Sequence, residues 1–266
     1  MTDKTDKTGT LNDAEITRYA RQLILPEISD EGQDALKATR LAIIGAGGLG
    51  NPALMAATNA GFGHITLIDD DVIEGTNLNR QFLFTPDDIA QPKAEIAARH
   101  AAAQNPLISV KARTSYFDET IADEVMAGHD IIIDASDNAP TRYLANRTAL
   151  AHDKPLIFVS AIRFEGQLAV FSAPLDGDER AGCYECLFPQ TSSIAPVANC
   201  ATVGIAGPVT MVMGSLAVLE AIKLVTKAGS IGTSLAGRLM LFDGLGAHSD
   251  IIKTKRDKNC PACADL

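Results

Sequence analysis

Leu41-Ala42-Ile43-Ile44-Gly45-Ala46-Gly47-Gly48-Leu49-Gly50 is the stretch that decides how this chain folds. A short apolar run of strand type enters a glycine-rich turn, and a helix-compatible run, Ala53 to Ala60, leaves it. A second apolar strand, Ile65-Thr66-Leu67-Ile68, ends at Asp69. In such a unit the glycines let the backbone approach phosphate at a helix N-terminus, and the acid closing the second strand accepts from ribose hydroxyls. Gly45, Gly47 and Gly48 are the candidate phosphate-loop residues, with Gly48 expected nearest the phosphate. These features alone fit any dinucleotide site. Asn77, Arg80, Gln81 and Lys93 go further, because they put a second polar and cationic set on the loop beyond strand two or at the start of the next helix. Hydride transfer has no use for those cations, whereas a triphosphate does, so the order points to ATP rather than NAD. The pattern G-x-x-x-x-G-K-[ST] is absent, which excludes a P-loop ATPase.

Outward from this stretch the pattern alternates. Strands are expected at 40–44, 64–69, 108–114, 130–134 and 155–160, with helices at 51–60, 93–104, 119–127 and 140–152. This predicts an α/β fold with a Rossmann-like, mostly parallel sheet and helices on both faces. Uninterrupted runs such as Ile131-Ile132-Ile133 suit strands buried on both sides. Upstream, 14–38 reads as helical until Pro26 breaks it. Downstream, 166–171 alternates like an antiparallel strand, 208–226 is a helix and 238–242 a strand. Residues 172–207 have no periodicity; loops of that length inside a domain are usually functional or disordered. The expected organisation is a disordered tail over 1–14 and a single domain over 15–266.

The formal net charge of −10 argues against a nucleic-acid footprint and against anionic membranes. The N-terminus, Met1 to Thr8, is polar and lacks the apolar segment of a signal peptide. The longest apolar run, Val209 to Val225, is short for a span and contains Glu220 and Lys223, so it reads as a buried helix with one polar edge. A cytoplasmic location is the expectation.

All five cysteines lie beyond residue 182. Cys183-x-x-Cys186 and Cys260-x-x-Cys263 carry the knuckle spacing of tetrahedral zinc sites. Two such pairs predict one four-thiolate zinc that ties the C-terminus onto the long loop, closed and therefore structural. The fifth, Cys200, sits in a polar part of that loop and is a candidate reactive thiol, or else a buried inert one.

Taken in order, Arg18-Tyr19-x-Arg21-Gln22, Gly45-x-Gly47-Gly48-Leu49-Gly50, Asn77-Leu78-Asn79-Arg80-Gln81, Gln91-Pro92-Lys93, Asp137-Asn138 and the two cysteine pairs resemble the HesA/MoeB/ThiF family, bacterial relatives of the ubiquitin-activating enzymes. The resemblance implies a homodimeric adenylyltransferase. Its substrates would be MgATP and the C-terminal glycine carboxylate of a small ubiquitin-like sulfur carrier ending in Gly-Gly, and a sulfur-donor protein would follow it. It implies that Arg80 and Lys93 act on the phosphates within one subunit while Arg21 reaches the partner subunit's ATP. It also implies that Asp137 holds Mg²⁺ with Asn138 beside it, and that Cys200 matches a thiol some members use covalently. Without the resemblance, Arg18 and Arg21 read as the polar face of an amphipathic helix, and Asp137 as the N-cap of 140–152.

Gly166-Gln167 leans towards carriers of the molybdopterin pathway and Leu241-Phe242-Asp243-Gly244 towards thiamine, so the pathway stays open. Three other functions are weighed against this one. An NAD-dependent oxidoreductase leaves Arg80, Lys93 and Asp137 unexplained. An ATP-dependent enzyme acting on a tRNA base is disfavoured by the charge. A non-catalytic zinc-stapled scaffold would not need the whole motif set.

Overall fold

The computed structural model describes residues 11–173, 181–190, 203–226 and 234–264. Five strands run parallel: β1 (Arg40–Ile44), β2 (His64–Ile68), β3 (Ser109–Arg113), β4 (Ile131–Asp134) and β5 (Leu156–Ile162). β6 (Glu165–Phe171), β7 (Arg238–Asp243) and β8 (His248–Lys253) add to β5 in antiparallel steps. The sheet order is β3-β2-β1-β4-β5-β6-β7-β8. The chain thus builds outward from β1 in one direction, returns, and builds outward through β4 in the other. That reversal leaves a crevice at the carboxyl ends of β1 and β4, where ligands of open α/β sheets bind.

The helices are α1 (Asp13–Leu23), α2 (Ser29–Ala38), α3 (Gly50–Ala60), α4 (Lys93–Gln104), α5 (Ala122–Gly128), α6 (Ala139–Ala151), α7 (Tyr184–Leu187) and α8 (Gly207–Thr226). Strand side chains alternate between two cores. Leu41, Ile43, Ile131 and Ile133 pack with α3, α4 and α8, while Ala42, Ile44 and Ile132 pack with α5 and α6 on the other face. This is why the central strands β1 and β4 are apolar apart from Arg40 and Asp134 at their ends. α8 is long and apolar enough to cross a membrane, yet it packs against α2, α3, β5 and β6. Its polar edge is internal: Glu220 is buried, pairs with Lys223, and accepts a hydrogen bond from the Leu235 N–H at 2.8 Å.

Two departures from the sequence reading have local causes. The 14–38 segment is two helices: α1 ends before Pro26, and α2 begins at Ser29, whose φ of 56° no continuous helix allows. β8 was not anticipated. All six of its residues are exposed, so burial imposes no alternation, and the strand exists because β7 offers it an edge. Within 172–207, residues 174–180 and 191–202 lie outside the described residues, and with them Cys200.

Candidate active site and cysteine cluster

The carboxyl ends of β2, β1 and β4 lie abreast, because Ile44 pairs with both Ile68 and Asp134. The chain leaves β1 at Gly45 with φ of +96°, a conformation that favours glycine. It re-enters helix at Gly50, where a Cβ would sit 1.7 Å from the Gly45 carbonyl oxygen, so no other residue fits. Gly47 has a different reason to be glycine. A Cβ there would meet no protein atom within 4 Å, and it would project into an open cleft of about 1080 Å³. The space is what a ligand needs.

One end of the cleft is set by β2. Asp69 accepts hydrogen bonds from the N–H groups of Ala46 (2.6 Å) and Asp71 (2.9 Å), which tie the acid to the glycine loop. Burial raises its pKa above the usual carboxylate value, although those N–H groups and Lys93 pull the other way. A raised folded-state pKa means that the folded protein holds this proton more tightly than the unfolded chain. Its contribution to stability is therefore full at acid pH and is lost as pH rises through the raised value. The expected result is that Asp69→Asn flattens this part of the profile of melting temperature against pH; a profile unchanged from wild type would show that Asp69 titrates normally.

The cationic set converges on the same place. The Lys93 side chain is 8% exposed and its Nζ lies 2.7 Å from Asp71 Oδ2. Arg80 is half-buried, donates to the Thr76 carbonyl (2.8 Å) and to Asn79 Oδ1 (3.1 Å), and packs its methylenes over Gly48. Asn77 is buried, its Oδ1 accepting from Glu74 N–H. Gln81 is buried with an Oε1 that has no partner. Gln81 lines the cleft together with Gly47 and Gly48.

β4 supplies the next wall. Asp137 is exposed and lines the cleft. The cap of α6 is Asn138, not Asp137: Asn138 Oδ1 accepts from Thr141 N–H at 2.9 Å. The expectation that Asp137 caps the helix is thereby corrected, and its carboxylate is left to the cleft. Beyond β4 the cleft continues over Ser160 on β5, Gln167 on β6, and Phe242, Asp243, His248 and Asp250 on β7 and β8.

Arg21 is not in this cleft. It is exposed on the last turn of α1. Arg18 is tied to its own subunit, donating to Asn59 Oδ1 (3.2 Å) and to the Gln104 carbonyl (3.0 Å). Several lining residues were not singled out from sequence: Tyr116 beyond β3, Arg142 on α6, Ser160 on β5, and His248 and Asp250 on β8, while Gln167, Phe242 and Asp243 were read only as pointers to the pathway. Arg142 carried a faint signal, one helical turn after Asn138. The others depend on which strands become neighbours.

The four cysteines of the two pairs converge. Their sulfurs all lie within 4.8 Å of one another, with Cys183–Cys260 at 3.6 Å, Cys183–Cys186 at 3.8 Å and Cys186–Cys263 at 3.4 Å. Zn–S bonds of about 2.3 Å in a tetrahedron give sulfur separations of about 3.8 Å, so the set fits a metal of that size. Free thiols have no reason to crowd so closely. Around them, Glu185 is buried in a bidentate pair with Arg147 (2.8 and 2.9 Å), and Asn146 accepts from Tyr184 N–H at 2.8 Å. The cluster is thus fastened to α6, and it carries Tyr184 and Phe188 into the cleft wall.

Known proteins agree with this architecture. The ThiF family model matches residues 19–262. The sulfur carrier protein adenylyltransferase of Thermus thermophilus is 41% identical over 251 residues, which are 94% of this chain and 92% of that protein. The sulfur carrier protein ThiS adenylyltransferase of Escherichia coli is 39% identical over 253 residues, covering 95% and 97%. The crystal structure of E. coli MccB with ATP superposes with a TM-score of 0.78 at 25% identity, covering 93% of this chain and 75% of that one. With its family model spanning nearly the whole described sheet and its glycine loop, cation set and cysteine pairs in one fold, this chain belongs to the ThiF family.

Proposed function

We propose that the protein is an ATP-dependent adenylyltransferase that activates the C-terminal glycine carboxylate of a small ubiquitin-like sulfur carrier, within a single domain over residues 15–266. The observation that carries this reading is the continuity of the cleft. One end holds the glycine loop, Asp69, Arg80 and Lys93, and the other runs out over β5–β8, where an extended peptide tail has room beside a bound nucleotide. The names of the relatives supply the substrate class.

In the reaction a carboxylate oxygen of the tail attacks the α-phosphorus of ATP. The bond from that phosphorus to the bridging oxygen breaks, and pyrophosphate leaves with the electron pair, giving acyl-AMP. Both reactants are anions, so cations must offset their repulsion and the charge that builds on the leaving group. Arg80 sits over the glycine loop for this role. Lys93, parked on Asp71, is within reach of the phosphates when a nucleotide competes for its ammonium. Gly45, Gly47 and Gly48 present backbone to phosphate, Asp69 takes the ribose, and Asn77, Gln81 and Asn138 line the remainder. Mg²⁺ held by Asp137 would supply charge neutralisation across the phosphate oxygens. Zinc in the Cys183, Cys186, Cys260 and Cys263 cluster is structural, and reduced thiolates fit a cytoplasmic protein. Formation of acyl-AMP uses no thiol, so Cys200→Ala separates adenylation from any later transfer.

The test is ATP–pyrophosphate exchange with purified carriers ending in Gly-Gly against the same carriers lacking the last glycine. Exchange that needs the intact tail supports the reading, and the preferred carrier identifies the molybdopterin or thiamine pathway. ATP binding without exchange with any carrier would overturn it.

Arg21 completes the site in a homodimer. Its exposure away from its own cleft fits a role in the partner subunit's cleft. Arg21→Ala and Asp137→Ala are each expected to be inactive. Mixed and re-paired, they should recover about a quarter of the wild-type rate, because half of the random dimers carry one intact site of two. No recovery, with re-pairing verified, would remove the trans role.

A further inference from the structure

The turn that carries Asp137 is held from both sides. Asp134 is wholly buried at the end of β4, and its Oδ1 accepts from Ser136 N–H (3.0 Å) and Ser136 Oγ–H (2.6 Å). From the far side, Arg142 Nη2 donates to the Ser136 carbonyl at 2.8 Å. Asn138 caps α6 immediately afterwards. Ser136 is therefore gripped at its N–H, its hydroxyl and its carbonyl, and the next residue projects into the cleft.

Arg142 is itself held. Its guanidinium lies 5.2 Å over the Phe158 ring, and its charge acts on the Tyr184 hydroxyl beside it. Phe158, Tyr184 and Phe188 form one aromatic group, with ring centroids 4.8–5.7 Å apart. Tyr184 in turn follows Cys183, whose cluster is fastened to the same helix through Arg147 and Glu185. A flat guanidinium with one face on an aromatic ring and one edge on a carbonyl has lost most of its freedom.

Resting on the adenylation reading above, we propose that Arg142 is a positioning residue: by gripping Ser136 it sets the Asp137 carboxylate where the metal of MgATP must sit. It acts through Asp137 and does not itself neutralise the phosphates. A residue that orients a metal ligand typically changes metal affinity or activity by about 10–100-fold when lost. Its loss should therefore appear in whatever depends on Mg²⁺ and leave the Mg²⁺-free interaction with nucleotide intact.

The experiment measures ATP binding by calorimetry in excess Mg²⁺ and in EDTA, for wild type, Arg142→Met, Arg142→Lys and Tyr184→Phe. Methionine keeps the contact with Phe158 but loses the donors. In Arg142→Met the EDTA affinity should stay within about twofold of wild type while the gain from Mg²⁺ falls by about tenfold or more. Lysine, which keeps charge without the fork, should recover part of that gain, and Tyr184→Phe should show a smaller loss of the same kind. If Arg142→Met does not fold, the Lys and Tyr184 variants decide. Equal weakening in Mg²⁺ and EDTA would overturn the proposal, because it would mark Arg142 as a direct nucleotide contact or a general structural support. An unchanged Mg²⁺ gain would overturn it as well. A wild-type protein that binds MgATP with this Arg142 dependence but exchanges pyrophosphate with no carrier would refute the adenylation reading alone.

Discussion

Asp137→Ala is expected to lower ATP–pyrophosphate exchange by at least about 10²–10³-fold, the usual cost of removing one charge-stabilising group from an active site. The side chain has no structural duty to confuse the result. Asn138 caps the helix, Asp134 and Arg142 hold the turn, and the Asp137 carboxylate is exposed to the cleft. Thermal stability should therefore stay near wild type while the rate collapses. Asp137→Asn, with the shape kept and the charge gone, should fall almost as far. A loss of less than tenfold for either variant would mean that another group holds the metal. Asp69 and Asp71 would then be the candidates, since both line the same cleft.

Loss of the cysteine-bound metal is expected to have the largest effect on stability. Structural zinc contributes about 10–16 kcal/mol of apparent binding energy in small domains. Even about 5 kcal/mol lost would lower the melting temperature of a chain this size by roughly 10–20 °C. Cys260→Ser, or metal extraction with a thiol reagent and chelator, should produce that drop and release one metal per chain. ATP affinity should fall with it, because Tyr184, next to Cys183 in the chain, and Phe188, two residues after Cys186, both line the cleft. The thiols give the pH dependence its sign. With no metal bound, burial pushes Cys183 up and holds Cys263 at about 11, so they ionise only when a cation replaces the proton. Metal retention should therefore improve as pH rises and fail first in acid. A melting temperature unchanged by cysteine substitution would reduce the cluster to four neighbouring thiols.

Much of the glycine-loop end of the cleft was legible along the chain because its parts are local. Gly45 to Gly50, Asp69 and the strands carrying them lie within one βαβ unit, and periodicity and glycine spacing report such a unit directly. The cysteine pairs were legible for the same reason, each being a local spacing. The alternative reading of Asp137 as the cap of α6 missed by one residue, since Asp and Asn are both good caps and the structure caps the helix with Asn138. β8 was invisible because nothing buries it.

By itself the sequence determined the parallel sheet, the glycine-rich turn after β1 with the cations that follow it, and the two cysteine pairs, each set by residues close together in the chain. Only the tertiary structure decided what lies side by side. It brought β6–β8 round to extend the cleft, left Arg21 outside its own site, and joined Cys183 and Cys186 to Cys260 and Cys263. It also placed Arg142 between an aromatic wall and the Asp137 turn. The reason is physical: backbone conformation and burial period are written in neighbouring residues, whereas contacts between distant strands follow from how the whole sheet buries its two faces.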